Sequence, residues 1–340
     1  MGKVKKQHYV PQFYLRNYSH NRKNIGMFML DSKKHVTNAS IKSVAYSRYL
    51  YGKNGELEGR LGKLESIWAR IIRKLLSSKE LYYLTREDYN SFLEFIAVSH
   101  YRTKKISDRH KYLYEFMEKM VPDEGLNNGN IKKSDFKEFK EVPSKVPIDI
   151  ALKEAKQLRD LGMILLCNKT NHHQFITCDH PVIFYNKLYV SRNYRIGYGL
   201  ENAGIQIFMP LSCNYVLCLF DPYVYDFLGN TPIYNIKSKK EVSALNKLAV
   251  ENAYNKLFFT RDTKESYIRE IVKSRTERSL EDNLRTYKQE NGNELVHFTS
   301  GSIYKNLNFS FLSIKKKYIN VPLPDNMMGL SRKNLMYDLN

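Results

Sequence analysis

The chain has 340 residues and a formal net charge of +20, because 55 Lys and Arg outnumber 35 Asp and Glu. Hydrophobic residues make up 42% of it, which is enough apolar matter for a large core in one domain or two. No run of about 18 apolar residues occurs, so the sequence predicts no membrane-spanning helix. The four cysteines show neither a CxxC pair nor a zinc-binding spacing, which favours buried thiols in a reducing, cytoplasmic compartment.

The positive charge indicates the kind of partner rather than the fold. A surface of this charge attracts polyanions, and the first 30 residues contain six Lys or Arg and no Asp or Glu. We therefore expect nucleic acid, RNA or DNA, as the partner. The alternatives are a solvated basic surface without a partner, an anionic membrane surface and an acidic protein.

An extended, aromatic segment opens the chain at residues 8–19, which read HYVPQFYLRNYS. Pro11 restrains this segment and disfavours helix at the residue before it. His8 is a candidate general acid–base or metal ligand, since the unperturbed pKa of histidine is about 6.5. The alternative is a packing motif, in which the aromatic residues fill the core and His8 bonds a main-chain carbonyl. Weak alternation at residues 26–31, followed by a turn, predicts two strands next.

Two helices are predicted after these strands. Apolar residues from Leu57 to Leu75 repeat at helical spacing. A second helix begins at Thr85, because acidic residues follow it in the first turn, as the helix dipole favours. This second helix is predicted to run to Met120, with a break near Ser107.

Glu58 and Glu65 lie two turns apart on the first of these helices, and Glu65 falls between apolar residues of its inward face. A carboxylate in that position must be paired, hydrogen-bonded or protonated. Glu65 is therefore a candidate metal ligand or general base. The alternative is a buried ion pair with Arg102, which lies on the inward face of the second helix.

Residues 122–147 combine prolines, glycines, asparagines and charges, and are predicted to form a loop. This loop separates an N-terminal segment and helical part, residues 1–121, from a mixed α/β part, residues 148–320. A tail follows at residues 321–340. The alternative is that all of these form one domain.

The mixed part begins with a short helix at residues 148–161 and carries the strongest strand patterns. Residues 163–167 and 174–178 are predicted to pair as a hairpin, and 205–209 with 215–220 as a second one. Further helices are predicted at 239–255 and 263–288, and strands at 257–260 and within 295–314. The fold class is therefore α+β: an N-terminal extended segment and helical layer, then a mainly antiparallel sheet with packed helices.

Asp179 ends the apolar strand in residues 175–182, which read FITCDHPV. Functional side chains are frequent where a chain leaves a rigid strand. Asp179 is therefore a candidate ligand for a metal or for a basic group. The alternative is a turn in which its side chain accepts hydrogen bonds from main-chain amides.

The string HYVPQFYLRN at residues 8–17 resembles the opening of an uncharacterised bacterial family, the domain of unknown function 4238. Further blocks fit that family in order: the helix start at 58–65, FIAVSHYRT at 95–103, ITCDHPV at 176–182 and MPLS at 209–212. The resemblance spans residues 7–260 and implies no settled activity. The positions that it favours are His8, Pro11, Glu65, Arg102, Asp179 and Pro181, whereas at His180 the family more often carries Asn or another polar residue.

Together these residues predict a nucleic-acid hydrolase in a toxin or phage-defence role. His8, Glu65 and Asp179 would hold a divalent metal, Mg²⁺ or Mn²⁺, that activates water, with the two carboxylates as its ligands. Arg102 would steady phosphate charge, and His8 and Asp179 are expected in one cleft. The alternative is a non-catalytic nucleic-acid-binding or sensor protein whose basic surface is the function.

Overall fold

A computed structural model of the chain describes residues 5–78, 81, 84–121, 132–194, 197–276, 284–288, 294–298, 303, 305–320, 322–323 and 329–333. The described α-helices are α1 (Gln12–Leu15), α2 (Glu56–Ser78), α3 (Arg86–Tyr101), α4 (Lys104–Met120), α5 (Asp135–Glu141), α6 (Lys145–Glu154), α7 (Lys187–Val190), α8 (Lys239–Asn252) and α9 (Glu265–Lys273). The described strands are β1 (Lys6–His8), β2 (Asn24–Met29), β3 (His35–Ser40), β4 (Tyr46–Arg48), β5 (Gly162–Asn168), β6 (Thr177–Cys178), β7 (Ile183–Tyr185), β8 (Gln206–Pro210), β9 (Tyr215–Phe220), β10 (Tyr225–Phe227), β11 (Ile233–Ile236), β12 (Lys256–Phe259), β13 (Leu284–Lys288), β14 (Glu294–Phe298) and β15 (Leu312–Ile314).

The fold is α+β with mainly antiparallel sheets, as the sequence predicts. A five-stranded sheet has the order β11-β5-β9-β8-β7, and its β11–β5 pair is parallel. A four-stranded sheet has the order β3-β2-β12-β6, so it joins strands from the start of the chain to strands from the second half. The short strands β1 and β4 form a separate two-stranded antiparallel ribbon.

The helical layer forms because α2 and α3 each bury one apolar face. Trp68 of α2 is fully buried, and its ring centroid lies 5.5 Å from that of Phe95 in α3. Thr85 caps α3, since its side chain accepts a hydrogen bond from the amide of Asp88. The predicted break in the second helix occurs between α3 and α4 rather than near Ser107, because the backbone of Thr103 is extended. Arg102 is the C-cap of α3, just before this break, and is buried.

One predicted hairpin does not form. Strand β5 pairs with β9 and β11, whereas β6 pairs with β12 in the other sheet. The local turn is present, since the side chain of Asn168 accepts from the amide of Thr170. Both apolar runs are buried, and each finds its strand partner elsewhere in the chain, so the link between them crosses from one sheet to the other. The second predicted pair, β8 with β9, is confirmed.

Two other predicted segments differ in extent. Helix α5 lies inside the predicted 122–147 loop, because Phe136 buries its ring in a small cluster with Tyr114 and Val121; residues 122–131 lie outside the described residues. The helix predicted at 263–288 ends at Lys273, and residues 284–288 form β13. Residues 277–283 of that predicted helix lie outside the described residues. Most of the predicted tail at 321–340 also lies outside the described residues.

The main hydrophobic cluster draws on both halves of the chain. It includes Tyr14 of α1, Trp68 of α2, Leu217 of β9 and Phe258 of β12. The N-terminal segment is therefore packed on the same core as the sheets, which fixes the position of its polar residues. Within the residues that the structure describes, no helix has the length and apolar character to span a membrane.

Candidate functional site

Side chains of the N-terminal segment bind it to two distant parts of the chain. The hydroxyl of Tyr14 lies 2.7 Å from the hydroxyl of Thr177 and also donates to the carbonyl of Pro210. The side-chain amide of Asn17 donates to the carbonyl of Leu211 at 3.0 Å. The segment is therefore docked in a defined position, which in turn fixes where His8 lies.

Arg102 is the centre of the polar residues that this docking brings together. Its side chain is only 1% exposed, and its Nη2 donates to Glu65 Oε1 at 2.7 Å and to the carbonyl of His8 at 2.8 Å. Its Nε donates to the hydroxyl of Tyr51 at 3.1 Å, and that hydroxyl donates to the carbonyl of Arg102. Burial alone would lower the pKa of Arg102, but Tyr51 and Glu65 outweigh it and raise the pKa, so the guanidinium stays charged. The predicted ion pair between Glu65 and Arg102 is present.

The imidazole of His8 lies beside this ion pair. Its Nδ1 is 3.4 Å from the side-chain amide of Gln12, whereas its buried Nε2 has no hydrogen-bond partner. Burial lowers the pKa of His8, with Glu65 opposing and Arg102 adding to that effect. The main-chain carbonyls of Ile41 and Lys42 also oppose this shift, and the net effect of burial favours the uncharged ring.

Glu58 joins the same group of residues, although the sequence indicated only that it lies two turns before Glu65. Its Oε2 is buried without a hydrogen-bond partner. Burial raises the pKa of Glu58, Arg102 opposes that shift and Glu65 reinforces it. We call His8, Tyr51, Glu58, Glu65 and Arg102 the Arg102 cluster. Side chains two helical turns apart lie on the same face, so the spacing from Glu65 already indicated that Glu58 faces the same way.

Asp179 has different partners. Its carboxylate is 2% exposed and accepts hydrogen bonds from the main-chain amides of Tyr254, Asn255 and Lys256 at 2.8–2.9 Å. Burial raises the pKa of Asp179, and these three amides oppose the shift. Asp179 therefore caps the connection between α8 and β12. The sequence offered main-chain amides of its own turn as the alternative partners, whereas these amides belong to a distant segment.

The structure thus brings His8, Glu65 and Arg102 together, whereas the carboxylate of Asp179 bonds the connection between α8 and β12. Asp179 lies near the neighbour of His8: burial chiefly, and then the Asp179 carboxylate, raise the pKa of Tyr9. Among the described residues no group of three or more His, Cys, Asp and Glu could hold a metal ion. The metal site shared by His8, Glu65 and Asp179 stays a prediction that this geometry does not favour.

The ribbon of β1 and β4 presents a basic, aromatic face beside the Arg102 cluster. Lys6 pairs with Arg48 and His8 pairs with Tyr46, and alternation along each strand puts all four side chains on one face. The Lys6 ammonium lies 4.9 Å from the Tyr46 ring centroid, and the rings of His8 and Tyr46 are 5.8 Å apart. Gln7, on the opposite face, is 1% exposed and bonds inward. We call Lys6, His8, Tyr46 and Arg48 the ribbon face.

Comparison with known families agrees with the resemblance seen in the sequence. A family model described as protein of unknown function (DUF4238) matches residues 6–263. The chain belongs to this family. The matched part of this DUF4238 protein contains the whole Arg102 cluster and the whole ribbon face. No curated protein and no solved structure matches the chain.

The blocks that suggested the DUF4238 family meet in the structure. Arg102 binds the carbonyl of His8, and the next residue, Thr103, bonds through its hydroxyl to Nδ1 of His180 at 2.8 Å. His100 stacks on Phe184 next to His180, and burial lowers the pKa of His100 to about 3. Both of these histidines are fully buried and uncharged, so they serve packing. Much of the family pattern therefore holds the fold together, and the Arg102 cluster and the ribbon face are the parts suited to a ligand.

Proposed function

We propose that this DUF4238 protein binds nucleic acid through the ribbon face. The observation that carries the proposal is the placement of Lys6, Arg48 and Tyr46 on one side of a two-stranded ribbon. Two cations beside an aromatic ring suit a chain of phosphates that carries flat bases. The carboxylate of Glu65 in the adjacent Arg102 cluster is paired with Arg102, so it repels phosphate little.

Further cations extend this surface. Lys5 precedes the ribbon and is exposed, and its carbonyl accepts from the amide of Tyr49. Lys53 is also exposed, and its ammonium lies 6.0 Å from the Tyr49 ring centroid. The net charge of +20 adds a long-range attraction for polyanions. Binding should therefore release counterions from the nucleic acid, and the affinity should fall as the salt concentration rises.

Charge reversal on the ribbon face tests this proposal. In a gel shift at low salt, Lys6→Glu/Arg48→Glu should bind RNA and DNA about tenfold or more weakly than the wild type, and its salt dependence should be shallower by about two phosphate contacts. The matched control is Lys239→Glu/Lys240→Glu at the start of α8, because both residues are exposed and the change in net charge is equal. Equal losses in both variants, or no shift of wild-type protein at low salt, would contradict the proposal.

A second candidate function is cleavage of the bound nucleic acid. A role as a toxin or in phage defence belongs to the same hypothesis. Three buried polar atoms of the Arg102 cluster favour it, since His8 Nε2, Glu58 Oε2 and Arg102 Nη1 have no hydrogen-bond partner. A carboxyl group with a raised pKa and an uncharged imidazole can exchange protons, and a guanidinium N–H can donate to a phosphate oxygen. His8 belongs to both the cluster and the ribbon face, so a bound strand passes close to these atoms.

An incubation of purified protein with RNA or DNA tests cleavage. We expect products that Glu58→Gln reduces by about 100-fold or more while binding is kept, and that His8→Gln reduces as much while also weakening binding, because His8 belongs to the ribbon face. Glu56→Gln is the matched control, because Glu56 is exposed in the first turn of the same helix. Parallel reactions with Mg²⁺, Mn²⁺ or EDTA decide whether a divalent metal takes part. Intact substrate under all of these conditions would remove this candidate.

A further inference from the structure

Tyr46 lies at one end of the ribbon face, next to Lys6 and His8. Lys6 covers its ring at 4.9 Å, His8 lies opposite it across the ribbon, and Arg48 follows two residues later on the same face. The ring is half-buried, so one part is held by the protein and another part is available to a ligand. A ring held in this way is a platform for a second flat group.

We propose that the ribbon face selects single-stranded nucleic acid, with one unpaired base stacked on Tyr46. This inference rests on the proposed function and adds the class of strand that binds. In a duplex the faces of the bases are covered by their neighbours, so Tyr46 has nothing to stack on. In a single strand a base can turn out onto an aromatic ring while the adjoining phosphates meet cations.

The inner side of the ribbon argues against insertion into a duplex groove. Gln7 donates to the carbonyl of Gly52 and accepts from the amide of Tyr51, and the carbonyl of His8 is bound by Arg102. The ribbon is therefore fixed flat on the protein body, whereas a ribbon that enters a major groove must project from it. Each strand has three residues and is about 10 Å long, which is enough for one or two nucleotides.

Lys6 has a part in both the free and the bound arrangement. In the free protein its ammonium lies over the face of Tyr46, where cation and ring attract each other. A base that stacks on this face displaces the ammonium, and the nearest anion that it can then meet is the phosphate of the same nucleotide. Selection for single strands thus comes from the ring, while the salt dependence comes from Lys6 and Arg48.

Fluorescence anisotropy with a labelled oligouridylate and a labelled RNA duplex of the same length tests the inference. Wild-type protein should bind the single strand more tightly. Tyr46→Leu should weaken single-strand binding about tenfold, because it removes the ring and keeps apolar bulk, and should leave duplex binding unchanged. Tyr46→Phe keeps the ring and should stay within about twofold of wild type. The matched control is Tyr112→Leu, a half-buried tyrosine on α4.

The outcomes separate this inference from the proposed function. If wild-type protein binds both RNAs equally and Tyr46→Leu changes neither, single-strand selection is overturned while nucleic-acid binding stands. If Tyr46→Leu and Tyr46→Phe weaken both RNAs alike, the ring is not a stacking platform and the inference is also overturned. If neither RNA binds at low salt, the proposed function itself fails. Thermal melting of each variant shows whether it is folded at the assay temperature.

Discussion

Replacement of Asp179 by alanine should lower the free energy of unfolding by about 4 kcal/mol, since three main-chain amides lose their shared, buried acceptor at once. The carboxylate is 2% exposed and binds the amides of Tyr254, Asn255 and Lys256. Urea denaturation followed by circular dichroism measures the loss.

Two variants make the Asp179 experiment specific. Asp179→Asn keeps one acceptor oxygen and should lose about half as much stability. Asp262→Ala removes an exposed carboxylate whose only described side-chain contacts are with His20 and Arg261, and should change stability by less than about 0.5 kcal/mol. An Asp179→Ala protein as stable as wild type would contradict the capping role and return Asp179 to the set of candidate ligands.

Glu65→Ala should destabilise the protein by about 3 kcal/mol, because it leaves the buried guanidinium of Arg102 without its hydrogen-bonded counter-charge. Glu65 itself is 27% exposed, whereas Arg102 is 1% exposed, so the penalty falls mainly on the arginine. The other groups that Arg102 bonds, the carbonyl of His8 and the hydroxyl of Tyr51, carry no full charge. The same denaturation measurement gives the loss.

Glu58→Ala is the matched control for this ion pair, since it removes an identical side chain from the same face of α2. We expect a change below about 1 kcal/mol, because burial without a hydrogen-bond partner already disfavours that carboxylate. Glu65→Ala/Arg102→Met should cost less than the sum of the two single changes, as residues in direct contact do. Additive losses would mean that the two side chains do not interact in solution.

These two stability experiments bear on how the family pattern is understood. Arg102 and Asp179 were both candidates for chemistry, and both are held by main-chain groups of distant segments. Loss of activity in an Arg102 or Asp179 variant would therefore follow from unfolding as readily as from chemistry. His8, Glu58 and Tyr46 are better positions for functional tests, because His8 and Glu58 each have a side-chain atom without a hydrogen-bond partner and the ring of Tyr46 is half-buried.

The sequence alone was sufficient for properties that repeat along a helix or add up over the chain. The period of the apolar residues in α2 and α3 determined which sides face inward, and from that the pairing of Glu65 with Arg102 followed. Net charge indicated a polyanionic partner, which remains a prediction. The family assignment rested on motifs in sequence order and is confirmed over residues 6–263.

Short strands and long-range contacts were decided only by the tertiary structure. Strand β4 has three residues and lies between Ala45 and Tyr49, which both adopt positive φ angles without being glycine. Such turns have no local signal in the sequence, since packing of the surrounding residues imposes them. The ribbon face, and with it the role proposed for Tyr46, was therefore not predictable from the pattern of the chain.

The partners of Asp179 were beyond sequence reasoning for a related reason. A carboxylate after an apolar strand can equally bind a metal, a basic group or main-chain amides, and local sequence carries no information about which of these is near. Here β6 pairs with β12, and that pairing brings the amides of Tyr254, Asn255 and Lys256 to the carboxylate. Which of the three partners Asp179 binds was decided by the pairing of strands that are far apart in the chain. Such pairing depends on the packing of the whole core.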